Sequence, residues 1–70
     1  MKIAVIGLGY VGLPLATVFT DAGIEVVGIE AVQERCDLVN AGRSYIQDVP
    51  DETLAKAVGA GLLRATPNYE

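Results

Sequence analysis

Six residues constrain this chain more than any other feature. Gly7-Leu8-Gly9-Tyr10-Val11-Gly12 places three glycines at G-x-G-x-x-G spacing, with an apolar run directly before them and a helical pattern directly after. The run Lys2 to Ile6 is short, continuous and stopped by glycine, which predicts a strand buried on both faces, as in a parallel sheet. Beyond the motif, Val11, Leu15, Val18 and Ala22 recur at i, i+4, i+7 and i+11. They predict the buried stripe of a helix, with Thr17, Thr20 and Asp21 turned away. Pro14 lies at the edge of the first turn, where a missing N–H costs little, so the helix starts near Tyr10 or Val11. Gly23 is its natural stop, because glycine tolerates the left-handed conformation that ends helices.

The rest of the chain repeats the alternation. Glu25 to Ile29 reads as a second strand ending at Glu30, and Gln33 to Asn40 as a second helix with Gly42 behind it. Arg43 to Pro50 is loop. A third helix is expected from about Pro50 to Val58, capped by Asp48 or Asp51 and closed by Gly59 or Gly61. Leu62 to Thr66 then forms a third strand, ended by Pro67. Strand, helix, strand, helix, strand defines an α/β chain. The expected fold is a partial Rossmann fold, a three-stranded parallel sheet in the order 3-2-1 with flanking helices and right-handed crossovers. That order leaves the first strand at an edge. Seventy residues hold at most one folding unit and are short of a comfortable core. With one cysteine and no histidine, neither an internal disulfide nor a classical zinc site is available to staple it. Residues 1–70 therefore read as the N-terminal part of a larger domain, expected to be marginal or self-associating alone.

Each glycine of the motif has a physical task. Gly7 allows the tight turn off the strand, Gly9 has no Cβ to block a ligand from the backbone, and Gly12 lets helix and strand pack closely. The N–H groups of Tyr10 and Val11, at the positive end of the helix dipole, are expected to hold phosphates. Glu30 stands 18 residues beyond Gly12, close to the about 20 expected of the acid that accepts hydrogen bonds from an adenosine ribose. A carboxylate there repels a 2′-phosphate, so NAD is expected over NADP. FAD proteins share the fingerprint, and a glycine-rich turn without a ligand is the bland alternative. Arg35, five residues past Glu30, is either a solvated helix residue or curls back towards the ribose or pyrophosphate. Cys36 forms an i, i+4, i+7 stripe with Val32 and Val39 and has no histidine to activate it, so it is expected to be core. Ser44 has no partner base, and the three tyrosines form no grouping. The candidate cofactor-binding residues are thus Gly7, Gly9, Tyr10, Val11, Gly12, Glu30 and Arg35. No catalytic or metal-ligating residue is expected.

Charge narrows the partners. Five basic against nine acidic residues give a net charge of −4, which argues against nucleic acid or an anionic membrane as the main partner. There is no signal-peptide pattern and no apolar run of the about 18 residues that would span a bilayer. A lone cysteine fits a reducing compartment, and a cytoplasmic location is expected.

The residues also carry a family resemblance. The opening stretch from Lys2 to Ala16, with G-L-G-Y-V-G-L-P-L-A, resembles the start of the UDP-glucose/GDP-mannose dehydrogenase family of nucleotide-sugar 6-dehydrogenases. The likeness continues through Val27 to Glu30, Arg35, the N-A-G-R-S-Y-I run from Asn40 to Ile46, Asp48 to Pro50, and Arg64 to Thr66. The S-Y-I-x-D-V-P loop is most similar to the branch acting on UDP-N-acetylglucosamine or UDP-N-acetylmannosamine. The resemblance implies NAD as cofactor and oxidation of a sugar C6 alcohol to a carboxylate in two hydride transfers. It places Gly7, Gly9, Tyr10, Val11 and Gly12 in the pyrophosphate loop, Glu30 at the ribose acid (usually Asp) and Arg35 at a cofactor-contacting base. It also implies that the catalytic cysteine and lysine, the sugar-binding domain and the sheet's fourth strand lie downstream, and that the complete protein is a homo-oligomer. Cys36 does not match the catalytic cysteine. The alternatives are a β-hydroxyacid or 6-phosphogluconate-type dehydrogenase, and a stand-alone dinucleotide-binding module without catalysis.

Overall fold

The structure, a computed structural model, describes residues 1–68. Among them the chain runs β1 (Lys2–Ile6), α1 (Gly12–Asp21), β2 (Glu25–Ile29), α2 (Gln33–Asn40), α3 (Asp51–Gly59) and β3 (Leu63–Thr66). The three strands are parallel with β2 in the centre, which is the expected 3-2-1 order read from β3. The register aligns Ile3, Val26 and Leu63, then Val5, Gly28 and Ala65, along one face of the sheet. That face meets the helices. Val5, Val26, Leu63 and Ala65 share a core with Leu13 and Ala16 of α1, Cys36 and Val39 of α2, and Leu54 and Ala57 of α3. The loop between α2 and α3 adds Ile46 and Val49 to the same core.

All three helices therefore cover one face. The expectation that β1 is buried on both faces is corrected: Val5 is buried, but Ala4 is exposed and Ile6 is 62% exposed. Successive residues of a strand point to opposite faces, and among the described residues no element lies against the second one.

The helix boundaries follow from local chemistry. Gly23, at φ +84°, takes the left-handed conformation that ends α1. The start of α1 is Gly12 rather than Tyr10 or Val11, and β3 begins at Leu63 rather than Leu62. Neither Asp48 nor Asp51 caps α3. Pro50 occupies the cap position, and Asp51 instead accepts a 2.8 Å hydrogen bond from the Ser44 N–H.

The buried side of α1 is also corrected. Val11, Leu15 and Val18 are exposed at 79%, 43% and 64%, whereas Leu13, Ala16, Thr17 and Thr20 are buried. The helix carries an apolar or small stripe on each side, and Gly12 decides between them. A Cβ on Gly12 would overlap the Gly7 carbonyl oxygen, so the Gly12 side of the helix must lie against the loop after β1. Leu13, Ala16 and Thr20 share that side. The buried hydroxyls are satisfied within the helix, since Thr17 Oγ1 donates to the Pro14 carbonyl (2.7 Å) and Thr20 Oγ1 to the Thr17 carbonyl (3.1 Å).

At the other edge, the Asn40 side chain acts as a one-residue substitute strand. Its Nδ2 donates to the Ala65 carbonyl and its Oδ1 accepts from the Ala65 N–H, both at 2.9 Å, which closes part of the open ladder of β3.

Candidate functional site

A cleft of about 850 Å³ opens beside the free edge of β1, where the strand hands over to α1. Gly7, Gly9, Tyr10, Val11, Gly12, Glu30 and Arg35 all line it. The fold thus brings together every residue singled out from the motif.

The loop's shape comes from its glycines and from Leu8. Gly7 sits at φ +82°, a left-handed conformation that turns the chain off β1, while its N–H still pairs with the Ile29 carbonyl at 2.7 Å. Leu8 is fully buried, packed where a Cβ on Gly28 would come within 2.5 Å of its Cδ1. Gly9 is the opposite case, because a Cβ there would meet open space. The N–H groups of Gly9, Tyr10, Val11 and Gly12 donate to no acceptor among the described residues. Consecutive free N–H groups at a helix start make a set of donors suited to an anion.

Glu30 does more than end β2. Its Oε1 accepts from the Leu8 N–H and its Oε2 from the Val32 N–H, each at 3.0 Å. The side chain is buried, with the Arg35 Nη1 3.8 Å from Oε1. The Val32 N–H, then the Leu8 N–H and the Arg35 charge, hold the carboxyl below the ordinary glutamate range against the opposing effect of burial. Each oxygen keeps a second lone pair, so the carboxylate can still accept from a ligand hydroxyl.

Arg35 is half exposed at the cleft and bends back towards Glu30. Its guanidinium stands near Glu30 and lies over the Tyr45 ring, 5.4 Å from the centroid. Cys36 is buried, and its thiol donates to the Glu30 carbonyl at 3.2 Å. Burial, then the charges of Glu30 and Asp37, push that thiol up, so it is a poor nucleophile.

Tyr45 is the residue that the sequence pattern missed. Its hydroxyl donates a 2.6 Å hydrogen bond to the Leu8 carbonyl. Burial, then Glu30, pushes the phenol up, so it remains a donor. Of the other tyrosines, Tyr10 is exposed beside the cleft and Tyr69 lies outside the described residues. No periodicity links positions 8 and 45; the only signal was Tyr45's place within the S-Y-I-x-D-V-P run.

This donor and acceptor set fits the ADP half of a dinucleotide. Free N–H groups suit a pyrophosphate, an unobstructed Gly9 allows close approach, and one buried carboxylate can accept from ribose hydroxyls.

Comparison with known proteins agrees. The model of the UDP-glucose/GDP-mannose dehydrogenase family, NAD binding domain, matches residues 1–70. The NDP-N-acetyl-D-galactosaminuronic acid dehydrogenase of Ralstonia nicotianae is 44% identical over 69 residues, covering 97% of this chain and 16% of that protein. A ternary complex of GDP-mannose dehydrogenase from Pseudomonas aeruginosa superposes with a TM-score of 0.90 at 34% identity, over 97% of this chain and 16% of that one. The UDP-D-ManNAc dehydrogenase of Pyrococcus horikoshii gives 0.89 at 38% identity, over 97% and 16%. The chain thus spans about a sixth of the length of these relatives. Among the described residues, no helix is long and apolar enough to cross a membrane.

Proposed function

The chain belongs to the UDP-glucose/GDP-mannose dehydrogenase family through the NAD-binding domain, and on that premise we propose that its cleft holds the ADP half of NAD in a nucleotide-sugar 6-dehydrogenase. The N–H groups of Gly9, Tyr10 and Val11 hold the pyrophosphate. Glu30 accepts hydrogen bonds from the adenosine ribose and, by its charge, rejects a 2′-phosphate. Arg35 keeps Glu30 in place and turns its exposed side towards the cofactor. In the whole protein, C6 of a UDP-sugar loses two hydrides in succession and gains its second carboxylate oxygen from water. NAD, when bound, is the hydride acceptor. The remaining length of the protein supplies the strand that pairs with β1, the sugar-binding domain, and the catalytic thiol and lysine. Cys36 takes no part.

The observation that carries this reading is the meeting of an unpartnered N–H set and a buried carboxylate in one cleft. The relatives support one choice of sugar over another. Proteins named for N-acetylated sugars are 44% and 42% identical to this chain, which favours a UDP-N-acetylhexosamine. Relatives named GDP-mannose 6-dehydrogenase reach 41%, so GDP-mannose is the comparison substrate.

Calorimetric titration of the full-length protein with NAD and NADP tests the cofactor. NADH formation with UDP-N-acetylhexosamines, UDP-glucose and GDP-mannose tests the substrate. Tight NAD binding, weak NADP binding and turnover of a UDP-N-acetylhexosamine are expected. Equal binding of both cofactors removes Glu30 from selection, and turnover of GDP-mannose alone overturns the substrate class.

A further inference from the structure

The Leu8–Gly9 peptide is hinged between two anchored neighbours. On one side, the Leu8 N–H is held by Glu30 Oε1 at 3.0 Å. On the other, the Gly9 carbonyl accepts from the Leu13 N–H at 3.1 Å. The plane between them has one partner among the described residues, the Tyr45 hydroxyl, 2.6 Å from the Leu8 carbonyl oxygen. Gly9 brings no side chain to resist rotation of that plane, and the space at its Cβ position is empty.

Tyr45 is itself firmly placed. Ser44 Oγ bonds both the carbonyl (2.8 Å) and the N–H (3.0 Å) of Ile46, and the Ser44 N–H is held by Asp51 at 2.8 Å. Ile46 is buried in the core, and the Arg35 guanidinium covers the tyrosine ring.

A trans peptide is planar, with its C=O and N–H pointing to opposite sides, and no peptide among the described residues is cis. Holding the Leu8 carbonyl towards Tyr45 therefore turns the Gly9 N–H away from it, unpaired. A rotated plane would present a carbonyl oxygen in place of that donor, and an anion would be repelled.

We propose that Tyr45 is a positioning residue for the cofactor's pyrophosphate: its hydroxyl locks the Leu8–Gly9 peptide in the orientation that offers the Gly9 N–H as a donor. The identity of the anion rests on the NAD reading above; the lock itself rests on the hydrogen bonds just described.

Tyr45→Phe in the full-length protein removes the hydroxyl and keeps the ring. Calorimetry with adenosine, ADP and NAD should show ADP and NAD weakened about 10-fold, with adenosine unchanged. In the unliganded, nitrogen-15-labelled protein the Gly9 amide resonance should shift, while those of Val39 and Leu54 stay in place. Equal loss for all three ligands, no loss for ADP and NAD, or an unmoved Gly9 amide would each overturn the proposal. So would a variant that fails to fold, because the hydroxyl would then belong to the framework. If the unsubstituted protein binds neither ADP nor NAD, the cofactor reading fails, and the Gly9 amide alone decides whether Tyr45 holds the peptide.

Discussion

The Leu8 N–H donates to Glu30 Oε1 across 3.0 Å, so the carboxylate that closes β2 also holds down the loop that follows β1. The same side chain takes the Val32 N–H on its other oxygen. A group expected to face a ligand is therefore part of the frame that shapes the site.

Glu30→Ala should cost both stability and selectivity. It strips the acceptor from two N–H groups, each worth about 1–3 kcal/mol when left unsatisfied, so chemical denaturation should show a loss of about 2–6 kcal/mol. Glu30→Gln keeps an acceptor oxygen and loses the charge. It should fold better than the alanine variant and bind NADP more nearly as well as NAD. A Gln variant with the original NAD preference would assign Glu30 to the frame alone.

Acid should find the same residue. The Glu30 carboxyl titrates below its ordinary range in the folded chain because the Val32 N–H foremost, then the Leu8 N–H and Arg35, favour the charged form. Its folded pKa is depressed, so the unfolded chain takes up the proton first as pH falls. The stability it contributes is complete above the unfolded value of about 4.3 and is lost as pH drops through the lower folded value. Urea midpoints measured from about pH 6 to pH 3 should fall more steeply for the unsubstituted protein than for Glu30→Gln. Parallel curves would refute the assignment.

The second and third glycines of the motif should respond in opposite ways to alanine. At Gly9 the added methyl meets open space, so Gly9→Ala should change stability by less than about 1 kcal/mol while weakening NAD. At Gly12 the methyl overlaps the Gly7 carbonyl, and relief requires moving α1 off the sheet. Gly12→Ala should cost about 3 kcal/mol or more. Thermal unfolding and NAD titration of the two variants, side by side, separate a ligand-approach glycine from a packing glycine.

Cys36 should behave as core. Its thiol is buried, donates to the Glu30 carbonyl and is pushed up by burial first and by neighbouring acids second. Labelling by a thiol reagent should proceed only as fast as the protein opens. Cys36→Ala should cost about 1–2 kcal/mol and leave NAD affinity unchanged. Rapid labelling of the folded protein would contradict this.

Most element boundaries, and the residues that meet at the cleft, were legible from local sequence alone. Those properties are local: a glycine that allows φ above zero at Gly7 or Gly23, a short apolar run at β1 or β2, and an acid at the end of β2. Direction, by contrast, was set by the packed fold. Both sides of α1 could have been buried by composition, and periodicity favoured the Val11, Leu15, Val18 side. The close approach of Gly12 to Gly7 turned the Leu13, Ala16, Thr20 side inward instead. β1 had the apolar content of a doubly covered strand, yet all three helices lie on one face of its sheet and leave Ile6 exposed. Asn40 reached Ala65, and Tyr45 reached Leu8, across 25 and 37 residues. No local propensity encodes such pairings, because a side chain's partner at that separation is set by which packed surfaces the folded chain brings together.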